Sequence, residues 1–536
     1  MSAPAAGGRG GILHRWLANR VRTACLVCVG IFLWAVAQFY SPVTGFSSLI
    51  SIGDAMNERQ VAALRQVPHH VYEESAGYDG AYYVQLALSP SLTNPELAKA
   101  IDNLPYRARR ILFCWVAWAL GLGQPEWIVQ AHALLNVIAW LGLAWMLTWW
   151  FPPTGWENFL RWFGVMFSSG VCMSVRNSLV DAPSLLLIAL ALAWHERGRR
   201  VSATAVLALA GLGRETSLLA VTGLAGGNPR EFKTWGRLAI AAVIVAMPLV
   251  AWIGYVRWRV GPADDPGLGN FTVPLSGFAE KWGDTLGGVV GSALSATTAT
   301  TFAAVLALTV QFLFFVLRWR PDETWWRVGA TYAALMVFLA TPVWEGFPGA
   351  STRVLLPMML AFNVTVPRGR RWLPLLIAGN LSVCSAYMEF TPPREFFHLR
   401  GERQTLRALP VERTGAWHGV EYAAATEWRW SEGESGLRFH NDTGRPLTLT
   451  FNGQVASAHD ERRVRIFVGS VMAMVWSEAI SSAPEQIHFG IVLPPGVTDL
   501  VFKSDLPGHP VGADVRRLAF KVSNLEIVAK PAPDHR

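Results

Sequence analysis

Thr23–Tyr40 reads TACLVCVGIFLWAVAQFY, with no charged side chain, and Arg9, Arg15, Arg20 and Arg22 precede it. An uncharged run of this length behind a basic lead is the pattern of a helix that enters a lipid bilayer. Ala35-Val36-Ala37 resembles a signal-peptidase site, but an uncleaved anchor is expected, because a polytopic remainder needs no removable signal. Further apolar runs follow at about 128–150, 160–175, 179–195, 201–213, 216–227, 237–256, 286–317, 327–342, 353–367 and 372–389. Several fall short of the ~20 residues of a full span, so closely spaced pairs are candidates for broken or tilted helices. The expected fold is a polytopic α-helical membrane protein with about eleven transmembrane helices over residues 1–390.

Composition agrees. The chain is 52% hydrophobic and 16% charged, against the ~25% charge usual in soluble domains. Its net charge of +8 does not point to nucleic acid, because the excess lies in short runs between apolar segments of the first 390 residues. With the N-terminus in the cytoplasm, the N-terminus and the cytoplasmic loops hold seventeen Arg and Lys, and the outside loops other than 41–127 hold six. A single miscounted helix would scramble that asymmetry. The expected location is therefore an inner membrane, multi-pass, with the C-terminal domain outside the cytoplasm. Two outside segments are long, 41–127 and 257–285. Within the first, Ile111–Gly123 is apolar but too short to span. Cys25 and Cys28 form a CxxC inside the first apolar run with no second ligand pair, which reads as small lipid-phase residues.

From about residue 415 the apolar period becomes two, as in Leu447-Thr-Leu-Thr-Phe451 and Val464-Arg-Ile-Phe-Val468. Asn441-Asp442-Thr443-Gly444, Pro494-Pro495-Gly496 and Asp505-Leu506-Pro507-Gly508 mark turns between such strands. This predicts an all-β sandwich over 415–536, without disulfides, joined by a linker at 391–414. Trp428 and Trp430 flank Arg429 on an early strand; they either fill the core or stand exposed, where such rings stack on sugars.

Charged residues at helix ends in a membrane protein each need a reason. The sharpest case is Gly77-Tyr78-Asp79-Gly80-Ala81-Tyr82-Tyr83. Asp79 is either an N-cap or a general base, with Gly80 leaving room for a substrate and Tyr82 and Tyr83 on one helical face beside it. Asp54, after Gly53, is the rival carboxylate. Tyr106-Arg107-Ala108-Arg109-Arg110 places three cations on the outside, against the positive-inside rule. Arg109 and Arg110 are candidates to bind a lipid phosphate, or to anchor in headgroups. Arg176 with Asp181, Arg214 with Glu215, and Glu345 with Arg353 sit at three other helix ends. Each could be a local ion pair; together they suggest a polar cleft. The chain carries no Walker motif, HExxH or GxSxG.

These features resemble the GT-C glycosyltransferases, integral-membrane enzymes that use a polyprenyl-phosphate-linked sugar donor. Tyr78-Asp79-Gly80-Ala81-Tyr82-Tyr83 looks like their first-loop Asp motif. Arg109-Arg110-Ile111-Leu112, Gly213-Arg214-Glu215-Thr216 and Thr352-Arg353-Val354-Leu355-Leu356-Pro357 resemble later blocks. The C-terminal part is similar to jelly-roll, carbohydrate-binding-like domains appended to some envelope glycosyltransferases. The resemblance implies transfer of a sugar to an envelope glycan or lipid acceptor on the periplasmic side. Asp79 would be the base, or Asp54 in its place. Arg109, Arg110, Arg214 and Arg353 would take the phosphate. An Asp-x-Asp motif is missing, which leaves the metal requirement open, with Mg2+ or Mn2+ as the candidate cation. A transporter or flippase of lipid-linked glycans, a glycan polymerase and a non-catalytic scaffold are the alternatives. The first would need polar groups near the middle of its helices.

Overall fold

The computed structural model describes residues 9–225, 232–262, 267–291, 295–346, 348–423, 426–459 and 461–533. Parts of the expected loops 228–237 and 257–285 lie outside these. The chain divides into two compact units, Met1–Tyr40 with Thr44–Thr391, and Ser41–Val43 with Pro392–Arg536.

The first unit is helical. Among the described residues four helices are long and apolar enough to cross a membrane: Asn19–Ala37, Pro125–Trp149, Lys233–Val260 and Ala296–Leu317. Arg200–Gly213 and Leu356–Thr365 are apolar but shorter. The expected eleven spans are thus not reproduced as eleven long helices among the described residues. Several apolar runs are interrupted instead. The run at 160–175 breaks between Trp156–Met166 and Ser169–Arg176, where Ser168 is extended and its hydroxyl donates to Val165 O at 2.9 Å. Pro357 sits in the first turn of Leu356–Thr365, separating it from Ser351–Val354. The run at 372–389 splits into Leu373–Ala378, Leu381–Ser385 and Ala386–Glu389. At its first break Asn380 and Asn363 exchange side-chain hydrogen bonds of 2.9 Å. Irregular backbone inside an apolar bundle persists only where protein groups satisfy it, and these side chains do so.

The first long loop, 41–127, has a core of its own. Ile50, Ile52, Tyr83, Leu86, Leu104 and Ile111 are buried in it. The helix Leu112–Leu120 is nine residues long and turns Phe113, Cys114 and Ala117 into this core rather than spanning. Asp79–Leu88 is the loop's central helix. Gly80 leaves no room for a substrate, contrary to expectation. A Cβ there would lie 2.1 Å from Asn177 O and 2.9 Å from Ile50 O, so glycine is what lets this helix start pack against the end of Ser169–Arg176.

The second unit is β-rich. Its strands run in the hydrogen-bonded order 473–480, 462–468, 496–504, 426–441, 520–531, 447–457, 485–493. Val411–Ala423 pairs along the length of Thr426–Asn441. The expected sandwich therefore appears as one continuous sheet folded over. The long strand explains it: residues 428–431 pair with 520–523, and residues 434–441 pair with 496–503, with Gly433 at φ 142° between them. Phe439 from one half meets Phe451 from the other, ring centroids 6.0 Å apart, within a single core. The end strands 473–480 and 485–493 approach each other, so the sheet nearly closes. The expected linker 391–414 is built in: Phe397–Arg400 pairs in parallel with Leu525–Val528, and Phe396, Leu406 and Leu409 are buried. Trp428 and Trp430 are half-buried, with the Lys521 ammonium 4.8 and 5.3 Å from their ring centroids, while Arg429 between them is buried and bonds Glu395 at 3.0 Å.

Candidate functional site

In the helical unit a cavity of about 590 Å3 is lined by the first long loop, Arg214–Thr216, residues 267–271, 335–345 and 350–354. Asp79 stands on its wall. It opens the helix Asp79–Leu88, whose N-cap position belongs to Tyr78, a residue that makes no side-chain cap hydrogen bond. The Asp79 carboxylate meets Arg107 at 3.0 Å. Burial raises the Asp79 carboxyl, but Arg107, then Arg353 and Arg110, outweigh burial and hold it below the ordinary carboxylate range. The group is ionised and weakly basic.

Arg107 ends the short helix Leu104–Arg107, which Asn103 caps by accepting from Tyr106 N at 3.1 Å. It bridges Asp79 and Asp102, the latter at 2.8 Å, and its guanidinium lies 4.9 Å from the Tyr82 ring centroid. Burial works against the Arg107 charge; Asp102 and Asp79 more than offset it and raise its pKa. Arg110 is buried and grips Glu215 with two hydrogen bonds, 2.8 and 3.2 Å. It also donates to the hydroxyls of Tyr83 and Tyr106, at 2.9 and 2.8 Å. Arg109 lies 5.5 Å from the Tyr106 ring centroid and lines the cavity.

Asp181 sits behind the wall, 3% exposed at the start of the helix Asp181–Glu196. It pairs with both Arg214 and Arg353, the latter at 3.1 Å. Arg353 also donates to the Tyr78 hydroxyl at 2.9 Å, beside Asp79. The local pairs read from the sequence are therefore replaced by pairs across segments. Arg214 takes Asp181 rather than Glu215, Arg353 takes Asp181 rather than Glu345, and Glu215 takes Arg110. Adjacent residues at a helix end point about 100° apart and rarely face each other, whereas separate segments can converge. Glu345 stands exposed on the rim.

Two candidates stand elsewhere. Asp54 is exposed and accepts the backbone N–H groups of Glu74 at 2.8 Å and Ser75 at 3.0 Å, closing a turn. Arg176 donates to Ser51 Oγ at 2.7 Å, Ser48 O at 3.2 Å and the Tyr72 hydroxyl at 2.9 Å. Both hold the first long loop in shape. Arg107, Asp102, Tyr78 and Tyr106 went unassigned as site residues in the sequence. The Asn103-Leu104-Pro105 helix start was the available signal, since a new helix re-aims the cations that follow it.

The remaining wall is apolar: Phe271, Leu335, Leu339, Val343 and Val354. Residues 270–272 are fixed to the end of Thr324–Phe338 by Thr272 N to Phe338 O and Ala340 N to Asn270 O, each 2.9 Å. Among the described residues no group of three or more His, Cys, Asp or Glu is arranged to hold a metal ion.

No family model matches the chain, and no curated protein matches it. Among solved structures it is similar to the cryo-EM structure of the arabinosyltransferase EmbB from Mycobacterium smegmatis, at 10% identity and a TM-score of 0.24, over 83% of this chain. The chain spans 62% of the length of that one.

Proposed function

We propose that the protein is a membrane glycosyltransferase that moves a sugar from a polyprenyl-phosphate-linked donor to a hydroxyl of an envelope glycan or lipid acceptor. The observation that carries this reading is one cavity in which an ionised carboxylate, Asp79, faces Arg107, Arg110, Arg214 and Arg353 beside an apolar wall. A sugar joined to a lipid phosphate needs those three surfaces together: a base for the incoming hydroxyl, cations for the departing phosphate, and apolar cover for the first isoprene units.

The chemistry is a displacement at the anomeric carbon. The acceptor oxygen forms the new C–O bond, the bond from carbon to phosphate oxygen breaks, and the electron pair leaves on the polyprenyl phosphate. The acceptor proton passes to Asp79. A carboxylate held below the ordinary range takes that proton late, once the hydroxyl has become acidic by bonding to carbon. Arg107 holds the carboxylate in place, and the arginines opposite stabilise the second charge that the phosphate gains. The donor is already activated, so no nucleotide is required. In this reading the cavity opens on the periplasmic side of the bacterial inner membrane. A requirement for Mg2+ or Mn2+ stays a separate question, and no step above runs through a metal.

Lipid-linked glycan transport is the competing reading. Asn136, Asn363 and Gln311, polar side chains within the long apolar runs, are neutral and spend their amides on carbonyls of the bundle or on one another. They serve as glue between helix pieces, which supports transfer over transport. The test is sugar transfer by the purified protein in detergent from a polyprenyl-phosphate-linked donor pool. Transfer by the native protein is expected; its absence across such donors, with the protein folded, overturns the reading.

A further inference from the structure

A carboxylate buried as deeply as Asp181 needs compensation, and it has more than enough. Arg214 and Arg353 both pair with it, one on each oxygen. Two cations on one anion leave this triad net positive, beside a wall where Arg107 holds two carboxylates, Asp79 and Asp102. The other hydrogen-bond partners of Arg214 and Arg353 are neutral: Arg214 Nε donates to Thr216 Oγ1 at 3.1 Å, and Arg353 Nη2 to the Tyr78 hydroxyl. Arg353 is 7% exposed, and its Nε makes no hydrogen bond among the described residues. Both arginines line the cavity, and Asp181 stands behind them. The arginines come from separate segments, so no local backbone geometry sets their spacing; the shared carboxylate does.

We propose that Asp181 is a positioning residue that fixes Arg214 and Arg353 side by side as a receptor for the phosphate of the departing polyprenyl phosphate. The proposal rests on the transferase reading above. In the donor the phosphate is a diester with one negative charge. When the bond to the sugar breaks, it gains a second. The pair's surplus charge meets that second charge, so the interaction is stronger in the transition state than in the bound donor and appears in kcat more than in KM. The carboxylate touches no substrate. It sets the spacing of the arginines and keeps them from repelling each other apart.

The experiment is a kinetic cycle in detergent with Asp181→Asn, Arg353→Gln and the double variant, using a polyprenyl-phosphate-linked sugar as donor. Asp181→Asn lowers kcat by about 10- to 100-fold, as loss of a preorganised donor to a developing oxyanion does, with a much smaller change in donor KM and a melting temperature that shows folded protein. The double variant loses clearly less than the product of the two single effects, because part of the Asp181 effect runs through Arg353 and the rest through Arg214. Asp181→Glu recovers part of the rate lost in Asp181→Asn. Inhibition by added polyprenyl phosphate weakens in Asp181→Asn. Unchanged kcat, or single effects that multiply fully in the double variant, overturn the proposal. Should Asp181→Asn fail to fold, Asp181→Glu takes its place in the cycle, and additivity there is equally fatal. If the native protein transfers no sugar, the transferase reading fails by itself. The positioning role is then judged on polyprenyl phosphate binding, and equal affinity in native protein and Asp181→Asn overturns it.

Discussion

Asp54 and Asp79 share the first long loop, each stands beside a glycine, and each opens a short helix. They have opposite surroundings. Asp54 spends both oxygens on backbone N–H groups of residues 74 and 75 and faces solvent. Among the described residues the Asp79 carboxylate shows no bond to the backbone and meets a guanidinium, with two more charged arginines near enough to lower its pKa. The same side chain closes a turn in one place and stands ready for chemistry in the other. What separates them is the partner that the fold brings from far along the chain.

The largest expected effect breaks or keeps that distinction directly. Asp79→Asn preserves shape and removes the base, so transfer falls by roughly 10²–10⁴-fold while expression and membrane insertion stay normal. Asp54→Asn keeps an accepting oxygen for the turn and leaves transfer within a few-fold of native. Loss of activity only in Asp54→Asn would move the catalytic role to the turn. Loss in neither would remove the main support for transfer.

Next come the arginines. Arg353→Ala removes a cavity guanidinium that also holds the Tyr78 hydroxyl, and transfer should drop by about 10²-fold, as with other losses of preorganised charge. Arg109→Ala should cost less, near 10-fold or under, and act on donor KM, because Arg109 lies on the Tyr106 ring and is attached to the site through it. Equal losses in the two variants would say that the cavity wall is graded differently from this geometry.

How far the sequence revealed these relations depends on how local each signal is. Period-two alternation in Leu447–Phe451 and Val464–Val468 is local, and both segments are strands. The folding of the sheet at Gly433 is not, because it arises when one long strand takes two partners that lie apart in the chain. Apolar length marks the four long helices, but the break beside Asn380 depends on a distant side chain, Gln311, whose amide donates to Gly379 O. At the site, Asp79, Arg110, Arg214 and Arg353 stand out as charges at helix ends, and the cavity gathers them. Their pairing did not show. Glu215 follows Arg214 in sequence yet binds Arg110, because that choice belongs to packing between segments.

The smallest expected effect sharpens the comparison through pH and salt. Both carboxyls are held below the ordinary value of about 3.9. A folded-state pKa below the unfolded one contributes stability that is present above about pH 3.9 and is lost as pH falls through the folded value. Neither group therefore changes charge between pH 7 and 5, and the acid limb that Asp79 imposes on kcat/KM should lie below about 4. The causes differ. Asp54 is lowered by hydrogen bonds from Ser75 and Glu74, and Asp79 by arginine charges acting against burial. Salt screens charges and leaves short backbone hydrogen bonds largely untouched. In melting curves from pH 5 to 3, each Asn variant should lose less stability on acidification than the native protein. Raising salt to about 0.5 M should shrink that difference for Asp79→Asn and leave it nearly constant for Asp54→Asn, since the Debye length there is well under 10 Å. An equal response to salt at both positions would mean that Asp79 is held by hydrogen bonding alone, and the electrostatic contrast between the two carboxylates would be lost.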